Sequence, residues 1–307
     1  MNIIPNKINI GDKIGVITPS NIIDEDDKEA IEASKKMFED AGYIIEFSRN
    51  SSNFDLGYDC SPKLKADDIN EMFSRDDIKM ILCAKGGQNS NNTFDYIDFN
   101  IIKENPKIIC GFSDSTSLTN IITEKTGLIT FSGATFKSVS TWETDYSFKD
   151  IINKFEKGSK LLGYEDDEFI TIKDGIAEGE LIGGNLSLTT KLVKGKYELN
   201  FKNKILFIEE LGWESDPLLV SSNLYYMKQN GVFDEINGIW IGNYEHESNV
   251  DLEKIVLNVL ENNYDFPIIK SNNFGHTDRK NVIPIGCRAR INTNNKVKIE
   301  LIDDCVK

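Results

Sequence analysis

Ser113 lies in a segment whose residue types suit covalent catalysis. The chain reads GFSD at 111–114, directly after the apolar run IIC at 108–110 and directly before a helical pattern. A serine at such a strand-to-helix turn stands above the carboxyl edge of a sheet, where the helix N-terminus offers N–H groups to a developing oxyanion. The match to the hydrolase turn is partial, because Ser115 stands where a second glycine is usual. The alternative is that Ser113 or Asp114 simply caps the helix.

The chain has only two histidines that could act as a general base, His246 and His276. Neither lies in an HExxH or HxxxH pattern or beside a cysteine pair, so a zinc site built on several His or Cys is disfavoured, whereas a carboxylate Mg²⁺ site stays open. His276 follows Gly275 in the polar turn FGHTDRK, which keeps it accessible. His246, in NYEHES, is interpreted as a solvated loop residue. We predict His276 as the base.

Two carboxylates, Glu209 and Glu210, end the apolar run LFIEE. They can orient a histidine or bind a cation, although solvated surface acids are the commoner outcome. Ser113, one of these carboxylates and His276 together supply the three roles that a serine hydrolase needs.

Two further segments can contribute to such a site. The stretch KGGQNSNN at 85–92 follows an apolar run, and its paired glycines let the backbone approach a ligand or offer N–H groups to it; a plain tight turn is the alternative. Arg279, three residues after His276, can grip a substrate carboxylate with two hydrogen bonds. The alternative for Arg279 is an ion pair with surface acids.

The order of apolar runs and helical patterns predicts an α/β protein. In the first half, strand signals such as IKMILC at 78–83 alternate with helical signals, which indicates a mainly parallel sheet with helices on both faces. The pattern weakens after about Phe155. We predict an N-terminal domain at 1–155 carrying the nucleophile, a linker at 156–178, and a C-terminal domain at 179–307 that ends in a β-hairpin.

The composition restricts location and partners. With 35 Lys and Arg against 50 Asp and Glu, the net charge of −15 disfavours nucleic-acid binding. The N-terminal residues lack the pattern of a secretory signal, and no apolar stretch approaches the roughly 20 residues that cross a bilayer. The five cysteines are scattered and form no CxxC pair. We predict a cytoplasmic protein with reduced cysteines and no membrane partner.

An ordered set of motifs resembles the LD-carboxypeptidase family of serine peptidases. These motifs run along essentially the whole chain: GDKIGVITPS, IKMILCAKGG, NPKIICGFSDST, GLITFSGATF, IGGNLSL, KILFIEE and GHTDRKNVIPIGCRARI. The resemblance implies Ser113 as nucleophile, Glu209 as the residue that orients the histidine, and His276 as general base. Because neighbouring side chains of a strand point to opposite faces, Glu210 should then matter little. It also implies an oxyanion hole made by the backbone N–H groups of Gly87 and Asp114.

The same resemblance implies an architecture. It predicts a flavodoxin-like, or class I amidotransferase-like, parallel-sheet N-terminal domain with a smaller C-terminal β/α domain that carries Glu209 and His276. The site would form where the two domains meet. It further implies a homodimer and a reaction that needs no cofactor or metal.

The function implied is a serine carboxypeptidase that hydrolyses a terminal amide of a murein-type peptide through an acyl-enzyme. The chain departs from the family at two places: it reads Asp278-Arg279-Lys280 after GHT, where the family often shows a proline, and it has Glu210 where the family often has aspartate. The GGQNSN turn and the NGVFDEINGIWIGNY stretch look closer to the immunity-peptidase branch of the family, which leaves the substrate open. The alternative is a microcin C self-immunity peptidase acting on a peptide-nucleotide or an aminoacyl-sulfamoyl adenylate. Trp142 or Trp213 would then stack on adenine, unless each is a core tryptophan. A second alternative is a non-hydrolytic binding module on the same scaffold.

Overall fold

Two β-sheets with flanking helices organise the chain. The computed structural model describes residues 2–141, 145–164, 166–261 and 263–307, to which every structural statement below refers. Numbered along the chain, the strands are β1 (Lys13–Ile17), β2 (Ile44–Phe47), β3 (Ile78–Cys83), β4 (Ile108–Gly111), β5 (Thr130–Ser132), β6 (Phe169–Lys173), β7 (Ile176–Asn185), β8 (Lys204–Glu210), β9 (Gly238–Tyr244), β10 (Ile268–Ser271), β11 (Ile283–Ile285), β12 (Arg288–Asn292) and β13 (Ile299–Leu301).

Helices follow most of these strands. They are α1 (Lys28–Asp40), α2 (Pro62–Ser74), α3 (Phe99–Glu104), α4 (Ser115–Thr126), α5 (Ser138–Thr141), α6 (Tyr146–Phe155), α7 (Leu186–Thr190), α8 (Pro217–Gln229), α9 (Val232–Glu235) and α10 (Leu252–Leu260), with 3-10 turns at Glu25–Asp27, Ser90–Tyr96 and Gly212–Ser215. None of the helices in the described ranges has the length and apolar character that a membrane crossing requires.

The first sheet has the order β11-β5-β4-β3-β1-β2. Strands β1 to β5 are parallel, and β11 pairs antiparallel with β5 at one edge. The order 2-1-3-4-5 is the flavodoxin-like arrangement, which places ligand sites at the carboxyl ends of the strands. The predicted class of this unit is confirmed.

The second sheet has the order β13-β12-β7-β8-β9-β10-β6. Its four central strands, β7 to β10, are parallel, while β6, β12 and β13 pair antiparallel with their neighbours. The predicted C-terminal β/α unit is therefore present, and β12 with β13 forms the expected closing hairpin. The division at 156–178 stays a prediction; β6 lies within that range, and β11 returns to the first sheet.

Helix α4 connects the two sheets. The side-chain amide of Asn120 donates to the Gly183 carbonyl of β7 at 2.8 Å and accepts from the Gly183 N–H at 3.2 Å. Gly184 packs so closely that an added Cβ would lie 2.8 Å from Oγ1 of Thr116. Because Thr116 and Asn120 lie one helical turn apart on α4, which begins two residues after Ser113, the helix that follows Ser113 also docks β7.

Asp27 holds together several loops at the carboxyl edge of the first sheet. Its carboxylate is buried and accepts hydrogen bonds from Lys137 at 2.5 Å and from Lys85, which begins the KGG turn after β3. Burial alone raises the pKa of Asp27, but the hydrogen bonds from Lys137 and Lys85 outweigh it, and the net pKa lies below the ordinary value. The ion cluster therefore ties the turn before α1 to the KGG turn.

Asp27→Asn should lower the stability of the fold at neutral pH by about 1–3 kcal/mol, the cost of removing one partner from a buried charged cluster. Because the folded-state pKa is lowered, the contribution of Asp27 is fully present above the unfolded value of about 4 and is lost as the pH falls through the folded-state value. Urea unfolding at pH 7 and at pH 3 should therefore show a smaller difference between variant and wild type at pH 3. The exposed neighbour Asp26→Asn is the matched control and should change stability little at either pH.

Candidate active site

Ser113 occupies the turn between β4 and α4 with a left-handed backbone. Its φ is 60°, which is uncommon for a residue other than glycine and marks local strain. Its side chain is half-buried between the buried residues Phe112 and Asp114. The Asp114 carboxylate accepts the Ser90 N–H at 2.8 Å and, in the described hydrogen-bond network, does not cap α4. Side-chain capping by Asp114 thus does not account for this turn.

The KGG turn after β3 packs directly on this serine. A Cβ built on Gly86 would lie 3.2 Å from the Cβ and 3.3 Å from the Oγ of Ser113. Gly87 has a φ of 135°, and an added Cβ would lie 2.3 Å from Cγ of Asn21, so only glycine fits there. Within the described residues, neither the Gly87 N–H nor the Asp114 N–H donates to a protein acceptor. Both N–H groups can therefore serve an oxyanion.

Glu209 and His276 form a short hydrogen bond. Nδ1 of His276 lies 2.6 Å from Oε2 of Glu209, whose side chain is 3% exposed, whereas the imidazole is 13% exposed. The imidazole ring also contacts the ring of Phe112, the residue before Ser113, with centroids 4.9 Å apart. With Nδ1 engaged by the carboxylate, Nε2 is the ring nitrogen left for proton transfer.

Gly275 makes the Glu209–His276 contact possible. Its φ is +95°, and an added Cβ would lie 2.8 Å from the Cβ and 2.9 Å from Oε2 of Glu209. A side chain at this position would clash with Glu209 and push the histidine loop, and with it the imidazole, away from the carboxylate. The backbone of the histidine loop therefore passes Glu209 at a distance that only glycine allows.

Packing on β9 fixes the path of the histidine loop. The buried ring of Phe274 contacts Trp240 with centroids 4.6 Å apart. The side-chain amide of Asn243 donates to the His276 carbonyl at 2.7 Å. These contacts hold the loop on both sides of Gly275, so the imidazole is oriented before any substrate arrives.

Arg279 ties the histidine loop to the segment before β6. Its Nη2 lies 2.8 Å from Asp166 and 3.0 Å from Asp167, and its guanidinium lies 4.6 Å from the ring centroid of Tyr146. This geometry favours the alternative in which Arg279 pairs with acids. A role for Arg279 in holding substrate stays a prediction.

The predicted tryptophan platforms remain untested. Trp142 lies outside the described residues, and the side chain of Trp213 is also not described.

His246 lies in the loop after β9, where its Nδ1 accepts the Ser248 N–H at 3.1 Å. In the described ranges, no group of three or more His, Cys, Asp or Glu residues is placed to hold a metal ion.

A cavity of about 820 Å³ opens in front of Ser113. Ser113, Asp114 and Gly87 line one part of it, together with Asn185, which sequence reasoning did not single out. Arg279 is not among its described lining residues. The motif IGGNLSL that ends β7 was the available signal for Asn185, because two glycines before a polar residue at a strand end allow close approach to a ligand.

Glu210 positions Asn185. Its carboxylate is fully buried and accepts the Asn185 amide at 2.6 Å, the Ser187 N–H at 2.9 Å and the Ser187 hydroxyl at 2.7 Å. Burial raises the pKa of Glu210, hydrogen bonds from Ser187 oppose this, and the charge of Glu209 raises the pKa further. Glu210 therefore holds a buried network at the end of β7, and the expectation that it matters little for turnover stays a prediction.

Gly275→Ala should lower the turnover of an amide substrate by about 100-fold or more, because the added methyl group displaces His276 from Glu209. Gly11→Ala is the matched control: Gly11 has the same backbone φ of +94°, yet no atom lies within 4 Å of an added Cβ. Both variants share the strain of the left-handed backbone, so thermal melting should shift for both. Equal turnover in the two variants would contradict the close approach.

Glu210→Gln should destabilise the protein by about 1–3 kcal/mol, because an amide group replaces an oxygen that accepts hydrogen bonds from buried donors. Urea unfolding measures the loss. The exposed Glu198→Gln, near the same cavity, serves as control and should lie within about 0.5 kcal/mol of wild type. Unchanged stability in the Glu210 variant would show that the buried network does not depend on the carboxylate.

Two family models match the chain: the LD-carboxypeptidase N-terminal domain at residues 14–133 and the LD-carboxypeptidase C-terminal domain at residues 178–291. Among curated relatives, a Bacillus subtilis protein named "Probable murein peptide carboxypeptidase" is 28% identical over 97% of this chain and 94% of its own length. The microcin C7 self-immunity protein MccF of Escherichia coli is 27% identical over 94% of this chain and 92% of its own length.

Solved structures of similar proteins share the fold along nearly the whole chain. An MccF-like protein from Bacillus anthracis superposes with a TM-score of 0.89 and 30% identity, covering 97% of this chain and 98% of that chain. A variant of MccF in complex with adenosine monophosphate superposes with a TM-score of 0.90 and 25% identity, covering 99% and 100%. The matched domains, the shared fold and the relatives along the whole chain show that this protein belongs to the LD-carboxypeptidase family.

Proposed function

We propose that this protein is a serine carboxypeptidase that hydrolyses a terminal amide bond of a murein-type peptide with Ser113, Glu209 and His276. The observation that carries the proposal is the 2.6 Å contact between Nδ1 of His276 and the buried Glu209 carboxylate. The imidazole ring also contacts Phe112, the residue before Ser113 on its strained turn. That combination orients a histidine and exposes a nucleophile, which a purely structural ion pair does not require.

The proposed reaction has two steps. Nε2 of His276 takes the Ser113 proton while Oγ attacks the amide carbonyl, and the oxyanion accepts hydrogen bonds from the Gly87 and Asp114 N–H groups. The imidazolium, stabilised by Glu209, gives its proton to the leaving amine and leaves an acyl-serine. Water, deprotonated by His276, then releases the acid and restores the serine. None of these steps requires a metal or cofactor.

A second candidate function is microcin C self-immunity hydrolysis of a peptide-nucleotide or aminoacyl-sulfamoyl adenylate. It is supported by the similarity to MccF along 94% of this chain and to the MccF complex with adenosine monophosphate. Turnover of a murein tetrapeptide, measured beside turnover of an aminoacyl sulfamoyl adenosine, separates the two functions. A protein that binds either compound without turnover would instead be the non-hydrolytic binding module. The homodimer and the cytoplasmic location stay predictions.

Ser113→Ala should lower turnover on the order of 10⁴-fold or more while the circular dichroism spectrum and melting temperature stay near wild type, because one oxygen is lost at a half-buried turn. His276→Ala should be comparably inactive, and Glu209→Gln should lose less, since a carboxylate orients the imidazole without reacting. His246→Ala is the matched control and should keep wild-type turnover.

Two results would contradict the proposal. One is near-normal turnover by Ser113→Ala, together with no labelling of the wild type by a fluorophosphonate at Ser113. The other is a reversal of the two histidine phenotypes, which would assign the base to His246. Loss of activity in EDTA would point to a bound cation at Glu209 and Glu210 instead.

A further inference from the structure

The cavity in front of Ser113 carries a positive wall. Three lysines line it, Lys191, Lys194 and Lys196, against two described carboxylates, Asp114 and Glu214. This balance is opposite to that of the whole chain, whose net charge is −15. A local reversal of charge in a concave site concentrates ligands of the opposite sign.

One of the two lining carboxylates is already engaged. The Asp114 side chain is buried and accepts the Ser90 N–H at 2.8 Å, so its charge is stabilised by the protein itself. All three lysines, by contrast, are exposed. Exposed ammonium groups therefore outnumber carboxylates among the described residues that line the cavity.

The backbone that carries these lysines is anchored. Leu192 and Val193 are buried in the core, which leaves Lys191 and Lys194 on either side of them to project outward. The Leu192 carbonyl also accepts the Leu199 N–H at 2.9 Å and closes the loop. A loop closed in this way presents its ammonium groups from a defined position.

Two of the lysines have partners outside the cavity lining. Lys194 lies 3.3 Å from Glu198, and Lys196 pairs with Asp95. Exposed pairs of this kind contribute about 0–1 kcal/mol, so a substrate anion can compete for the ammonium groups. Arg279, the other cation proposed for this task, is held by Asp166 and Asp167.

We infer that Lys191, Lys194 and Lys196 bind an anionic group of the substrate, a carboxylate or a phosphate-like group, beside Ser113. This inference rests on the proposed function, because it names the charge that the substrate of that site carries. The lysines act on affinity and specificity rather than on the reacting bond.

Binding to the Ser113→Ala protein tests this, because the measurement needs no turnover. The probes are a murein tetrapeptide with a free terminal carboxylate, the same peptide amidated at that terminus, and an aminoacyl sulfamoyl adenosine. Replacing all three lysines with Glu should raise the Kd of at least one anionic probe by about 10- to 100-fold and that of the amidated peptide by less than about threefold. The effect should shrink as salt is added, since the ammonium groups are exposed.

The matched control replaces Lys36, Lys63 and Lys149 with Glu. Each of these is an exposed lysine paired with an acid, and none is among the described residues that line the cavity. This control changes the net charge of the chain by the same amount and should leave all three Kd values near those of the Ser113→Ala protein. If the Glu triple fails to fold, single Lys→Gln variants at the three positions replace it.

The outcomes separate the sources of the anion. If the lysine replacements weaken binding of the free-carboxylate peptide, the lysines bind a terminal carboxylate. If they weaken binding of the sulfamoyl compound, the lysines bind a phosphate-like group. Two outcomes would overturn the inference. One is an equal change in Kd for the free and amidated peptides with no change for the sulfamoyl compound. The other is the same loss of affinity in the control triple variant. Failure of the proposed function shows separately, as turnover that survives Ser113→Ala.

Discussion

A buried carboxylate needs a partner, because leaving one unpaired costs several kcal/mol, and the Glu209 carboxylate is buried. Its match is Nδ1 of His276, 67 residues away along the chain and 2.6 Å away in space. The contact exists because Gly275 lets the backbone pass within van der Waals distance of the carboxylate and because Phe274 packs the loop against β9. Contacts from β8 and β9 thus bring this imidazole to this carboxylate.

Helix α4 imposes the matching constraint on Ser113, the proposed nucleophile. Ser113 lies in the turn just before the helix, and Thr116 and Asn120, in its first two turns, contact β7. Strand β7 is the direct neighbour of β8, with Asn185 in register with Glu209. The serine and the carboxylate are therefore related through a helix and two paired strands, all of them rigid elements. Sites built on such elements keep their geometry better than sites built on loops.

Charge is distributed so that the acidic chain can still accept an anionic ligand. The cluster of Asp27, Lys85 and Lys137 uses buried charge to hold the KGG turn, and Arg279 uses two aspartates to hold the histidine loop. In both cases the ion pairs fix loops that carry candidate catalytic groups. The lysines at 191, 194 and 196 remain at the surface of the cavity, where their charge faces the ligand.

Sequence periodicity alone determined the α/β class and many elements, among them the strand Ile78–Cys83 and the helix Ser115–Thr126, because strands and helices bury apolar residues at different spacings. It also determined which residue types could react. The family resemblance implied the pairing of His276 with Glu209, and the tertiary structure supplies its geometry. Only the tertiary structure decided that Arg279 meets two aspartates and that Glu210 holds Asn185. Strand β7 was not predicted from the sequence, because its paired glycines resemble a loop. In the structure these glycines allow α4 and β8 to pack closely against the strand. Such contacts depend on which distant segments share a space, and no local pattern of residues records that.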